Sequence, residues 1–225
     1  MEKRKESIIA EFKNAIQKQD FYSYVQSAHT DGRLAVILPG VDKLFEVKEI
    51  IENGRECCAS EQVLNVLKKG DDLSSRCKYA LLLYSVSKAY TSEKLQPLHP
   101  LNYGLLSTSI ISTVSEDLGF PDNYNEFAQV FARYHTMMHG ADNIKDGEAA
   151  DLVQTCIKLD AENDFFDCAH VYMECKAERS VNHDSVLKCA EDSEERLKEI
   201  FYRVKSGDDT SRLALDAYRR NLGLK

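Results

Sequence analysis

Apolar residues recur at helical spacing along almost the whole chain. Between residues 5 and 18, Ile8, Ile9, Phe12, Ala15 and Ile16 follow the i, i+3/i+4, i+7 rule of a one-sided helix. After the break at Pro39-Gly40, Leu44, Val47, Ile50 and Ile51 repeat the pattern and predict a helix over 42–53. Ser60 is placed to cap 61–69, which carries Val63, Leu64 and Leu67 on one side and stops at Gly70. Ser74 or Ser75 heads 76–90, with Cys77, Ala80, Leu81, Tyr84 and Val86 inward. Beyond a proline break come 102–116 and 123–139, separated by Gly119 and Pro121. The stripe Phe127, Val130, Phe131 and Tyr134 marks the second of these as a core helix. Further helices are predicted over 147–158, 163–178, 184–205 and 210–222, with Asp184 and Thr210 as N-caps and Gly207 as a stop. No strand-like alternation and no internal repeat is read, so the expected fold class is all-α.

The stretch "QPLHPLNYGLLSTSIIS" (96–112) interrupts this series. Pro97 and Pro100 end the preceding helix and bias Gln96 and His99 towards extended backbone. A lobe boundary near 91–100 is the expectation, with a first helix over 1–18, a helical lobe over 19–95 and a second over 96–225. At 225 residues the chain is long enough for one good core or two small lobes.

Charge narrows the choice of partner. The net charge is −8, and it is uneven. Residues 1–100 hold 15 Lys/Arg against 14 Asp/Glu, whereas residues 141–195 hold five against 15. An acidic balance weighs against strong polyanion binding, which depends on neutralising phosphates. One local strip runs the other way. In "LKKGDDLSSRCKYA", Lys68 and Lys69 end one helix while Arg76 and Lys78 open the next, an arrangement that can follow a phosphate backbone. Tyr79, Tyr84, Tyr90 and Tyr103 lie nearby in sequence as candidate stacking faces for unpaired bases.

Other chemistry is sparse. His135 and His139 in "HTMMH" have metal-ligand spacing on a helix, but Thr136 stands where a metalloprotease carries its glutamate, and no third ligand is marked. They are expected as helix-surface or interface histidines, with no metal. Seven cysteines without a C-x-x-C pair or secretory segment predict reduced thiols in the cytoplasm, with Cys168 and Cys175 as small core residues. No Gly-rich phosphate loop, nucleophile elbow or membrane span is found. No cofactor is expected, and the chain is expected not to be an enzyme.

Several landmarks in order, "IIAEFKNAIQ", "FYSYVQSAHTDG", "LNVLKKGDDLSSRCKYA", "LHPLNYGLL" and "FPDNYNEFAQVFARYHTMMHGADNIKDG", resemble the nucleocapsid proteins of segmented negative-strand RNA viruses, nearest the phlebovirus and tenuivirus branch. That resemblance implies an all-α nucleoprotein that encapsidates single-stranded RNA without sequence preference, in host cytoplasm and virion. It implies two lobes with an RNA-holding cleft between them, self-assembly through an exchanged N-terminal arm, the helix over 1–18, and a viral polymerase as a further partner. It places Lys68, Lys69, Arg76 and Lys78 among the RNA-binding cations, with Arg133 and Lys145 added from the second lobe. The competing expectation is an acidic helical adaptor or scaffold that binds a basic protein and has no nucleic-acid role.

Overall fold

In a computed structural model, which describes residues 2–52, 54–91, 100–207 and 209–221, the chain is all-α apart from one small hairpin. The first half holds α1 (Glu2–Ala15), α2 (Phe21–Thr30), α3 (Arg33–Ile37), α4 (Pro39–Lys43), strands β1 (Lys48–Ile50) and β2 (Glu56–Cys58), α5 (Ala59–Lys69) and α6 (Ser75–Leu83). The second holds α7 (Pro100–Leu118), α8 (Asp122–Tyr134), α9 (Asp146–Leu159), α10 (Glu162–Ala177), α11 (His183–Lys205) and α12 (Asp209–Asn221). Among the described residues, no helix is long and apolar enough to cross a membrane.

One hydrophobic core runs from Ile8 to Phe201 and draws on both halves. Helix α6 packs on α8, α10 packs on α5 and α6, and α7 lies along α8. The boundary near residue 96 therefore does not divide two cores. The hinge read at 96–99 lies outside the described residues. Helix α1, expected as an exchanged arm, buries Ile8, Phe12 and Ile16 in its own chain, with the Phe12 ring 5.7 Å from Phe21 and 6.0 Å from Phe120.

The predicted helix over 42–53 is replaced by the antiparallel hairpin, whose register pairs Lys48 with Cys58 and Ile50 with Glu56. The reason is local. Gly54 takes a left-handed φ of 79° and its amide donates to the carbonyl of Ile51 at 2.8 Å, while the Ile51 amide donates to the carbonyl of Arg55 at 3.0 Å, so the chain reverses between Ile51 and Arg55. Ile50, read as a helix-core position, is 78% exposed.

Two other helices end sooner than their apolar stripes predict. Helix α6 stops at Leu83 and passes through Tyr84 into a 3-10 turn, Val86–Ala89. Helix α8 stops at Tyr134 and tightens into a second, His135–His139. At three residues per turn, positions i and i+4 lie about 120° apart around the axis rather than the roughly 40° of an α-helix. His135 and His139 thus leave the shared face that their spacing implies.

The uncharged segment of α7 holds the first turn in place. The buried Ser107 hydroxyl lies 2.9 Å from that of Ser87 and 3.3 Å from the carbonyl oxygen of Tyr84. Nearby, Gly104 brings α7 against α8 so closely that a Cβ there would sit 3.0 Å from the carbonyl oxygen of Ala132. Hydroxyls that pair inside the core, and a glycine at a helix crossing, explain why this stretch is rich in serine and free of charge.

Candidate functional site

Most of the cations expected to bind RNA have partners within the fold. Lys69 pairs with Glu178 at 3.0 Å and Glu174 at 3.2 Å. The Arg76 guanidinium binds Asp164 and donates to the carbonyls of Leu159 and Asp160, both at 3.1 Å, closing the end of α9. Lys78 is 3% exposed, with its ammonium 2.7 Å from the carbonyl of Lys18 and 3.4 Å from Asp71. Arg133 donates to the Tyr218 hydroxyl at 2.5 Å and stands 3.8 Å from Asp151. Lys68 lies over the Tyr22 ring and Lys145 flanks the start of α9, both exposed. The loop between Lys69 and Arg76 is also closed from within, since Asp71 accepts from the amides of Asp20 and Phe21 at 2.7 and 3.2 Å.

The two 3-10 turns and α10 enclose a different feature. Tyr84, His135 and Tyr172 meet edge-to-face, with His135 5.1 Å from Tyr84 and 4.9 Å from Tyr172. His135 Nδ1 lies 3.1 Å from the carbonyl oxygens of both Phe131 and Ala132. Carbonyl oxygens only accept, so Nδ1 carries the hydrogen and Nε2 keeps a lone pair. Burial lowers the His135 pKa from 6.5 to about 4, so the ring is neutral at physiological pH. His139, 2.8 Å from the Tyr172 hydroxyl through Nε2, is lowered by burial and by Lys176 to about 3. Both histidines, expected as helix-surface or interface groups, are half-buried and bonded within the fold.

The enclosed space is about 180 Å³ and is completed by Gln62, Lys88, Tyr103 and Thr136. Tyr84 is 4% exposed, and its hydroxyl has no hydrogen-bond partner among the described residues. A buried polar group left unpaired costs stability, and such groups point to an absent partner.

Gln62 and Tyr172 also wall a second opening of about 290 Å³ between the β-hairpin and the end of α10. Lys176, Arg179 and Ser180 face Glu49 and Glu52 across it. The first opening is walled by the aromatic rings of Tyr84, Tyr103, His135 and Tyr172, the second mainly by charged and polar side chains. Among the described residues, no group of three or more His, Cys, Asp or Glu is placed to hold a metal ion. Sequence reasoning singled out His135 and Tyr84, though for other roles, and missed Tyr172, Lys176 and Arg179. Tyr172 and Lys176, an aromatic and a cation four apart on one helix, with Arg179 just past its end, were the available signal.

No family model matches the chain. It is similar to curated bacterial proteins named "Multifunctional CCA protein". With that of Pseudomonas aeruginosa it shares 28% identity over 149 residues, 64% of this chain and 36% of the relative. With that of Psychromonas ingrahamii the figures are 26% over 136 residues, 60% and 33%. With that of Neisseria meningitidis serogroup C they are 26% over 142 residues, 62% and 34%. The chain thus spans about a third of the length of these relatives. These matches overturn the viral resemblance and, with it, the encapsidation of single-stranded RNA, the viral polymerase and the virion. They give the adaptor reading no support. The expectation of a chain outside enzymology is corrected by the same finding, because the proteins it resembles are CCA proteins of bacteria and not nucleocapsid or scaffold proteins.

Proposed function

We propose that this chain is a helical module of tRNA 3′-end enzymology, of the kind found in tRNA nucleotidyltransferases, and that its Tyr84–His135–Tyr172 pocket receives the terminal CCA. The observation that carries this reading is the similarity to multifunctional CCA proteins over 64% of the chain. The pocket supports it chemically. Unstacked bases at RNA ends are held by aromatic faces and read through hydrogen bonds along their edges. Tyr84 offers a free hydroxyl, and His135 Nε2 offers an acceptor whose neutrality is secured by burial.

The test is binding of fluorescently labelled tRNA, one sample ending in CCA and one trimmed of those three nucleotides, followed by anisotropy. The CCA-bearing tRNA should bind more tightly by about tenfold or more, since each stacked base contributes about 1–3 kcal/mol. Equal affinities for the two would overturn the reading. A second arm supplies labelled CTP and ATP to the trimmed tRNA and measures incorporation. This separates a module that transfers nucleotides from one that only holds the end.

A further inference from the structure

We infer that Lys176 and Arg179 form a phosphate-binding site in the opening between the β-hairpin and the end of α10. The opening is bordered by two carboxylates, and each is already engaged. Glu49 Oε1 takes the Lys88 ammonium at 2.6 Å, and Glu52 Oε2 accepts from the Ser180 hydroxyl at 2.5 Å. Arg179 reaches the Cys57 sulfur with Nη2 at 3.0 Å and stands 3.8 Å from Glu49 Oε2, beyond hydrogen-bond distance. Its Nε is buried with no hydrogen-bond partner. Lys176 is half-buried, and among the described residues no carboxylate lies within 4.0 Å of its ammonium. Burial lowers its pKa, with Glu52 opposing weakly.

A buried guanidinium N–H in the turn after α10 and an ammonium without a carboxylate partner in its last turn, three residues apart, are costly to a protein that leaves them empty. A phosphate answers both. Its oxygens accept from the planar guanidinium through two parallel bonds and from the ammonium as a point charge. Lys176 and Arg179 face Glu49 and Glu52 across the opening, and Lys88, from the wall of the neighbouring pocket, takes Glu49 at 2.6 Å, so the five groups together carry one net positive charge that an anion would balance. Lys176 and Arg179 lie outside the lining of the Tyr84–His135–Tyr172 pocket, and a phosphate site there does not rest on the tRNA reading.

Isothermal titration of the full chain with inorganic phosphate, with cytidine 5′-monophosphate and with cytidine tests it. Phosphate and the monophosphate should bind saturably, and cytidine more weakly than its monophosphate. Lys176→Met removes the ammonium from a side chain with no partner to lose, so the fold is retained, as circular dichroism would confirm. It should weaken phosphate binding by at least about tenfold, the loss expected for one charge-assisted bond. Arg179→Lys keeps the charge but not the fork and should weaken it also. Competition by a CCA-ending RNA that carries only phosphodiesters would assign the site to an RNA backbone. Its failure to compete would assign the site to a terminal or free phosphate. The inference is overturned if neither phosphate nor the monophosphate titrates, or if the Lys176→Met protein binds them as tightly as the native chain.

Discussion

Tyr84 shows how one atom separates stability from binding. Its ring packs against Phe131, His135 and Tyr172 and contributes to the core, while its hydroxyl is buried without a partner. Burial pushes its pKa well above 10, so the group stays a neutral donor. Removing an unsatisfied hydroxyl from such a site relieves a desolvation cost of about 1–3 kcal/mol. Tyr84→Phe should therefore unfold at a higher denaturant concentration than the native chain, with the slope of the transition unchanged. The same variant should bind CCA-ending tRNA less tightly. A gain in stability with a loss of affinity marks a group kept for a ligand, and a loss of stability would show that Tyr84 has a partner within the fold.

At the scale of elements, the Tyr84–His135–Tyr172 pocket exists because two helices give way to 3-10 turns where their apolar stripes continue. That transition was not legible. A stripe such as Phe127, Val130, Phe131 and Tyr134 reports which side is buried, and it reads the same whether the next turn has 3.6 residues or 3.0. Helix placement along the rest of the chain was legible because α5 and α7 to α12 keep a regular period between recognisable ends. Ser74 accepts from the Cys77 amide as an N-cap, and Gly207 turns left-handed after α11. The basic strip was misread for a related reason: sequence displays charges but not their partners, and Lys69 and Arg76 meet acids more than 80 residues away. The second turn has a consequence in pH. His135 and His139 titrate near 4 and 3 when folded against an ordinary 6.5, so between those limits the unfolded chain binds protons that the folded chain does not. Stability is fully present above about pH 6.5 and declines as pH falls towards 4, with each pKa unit equivalent to about 1.4 kcal/mol. Urea unfolding from pH 7 to 4.5 should show this decline, and His135→Gln should flatten it. An unchanged slope in the variant would mean that His135 is charged in the native state.

For the whole molecule, the decisive quantity is a net charge of −8 on a chain whose relatives are CCA proteins. Proteins that grip nucleic acid along its backbone release many counterions, and their affinity falls steeply with salt. Here most of the cations that could trace a backbone are engaged internally, as Lys69, Arg76, Lys78 and Arg133 show. On the proposed reading, binding to tRNA would come from a few local contacts: aromatic faces around one terminal base, two pocket hydrogen bonds, and Lys176 with Arg179 for at most one or two phosphates. Each phosphate neutralised contributes about 0.7 to the slope of log affinity against log salt for single strands. The slope for the CCA-bearing tRNA, measured by anisotropy between low and physiological salt, should therefore be no steeper than about −1.5. The acidic surface elsewhere should repel the body of the tRNA, so a short single-stranded oligonucleotide ending in CCA should bind nearly as well as the full tRNA. A slope several-fold steeper, or a strong advantage for the full tRNA, would show that an extended basic surface is used, and would return Lys68 and Lys145, the exposed members of the original set, to the RNA interface.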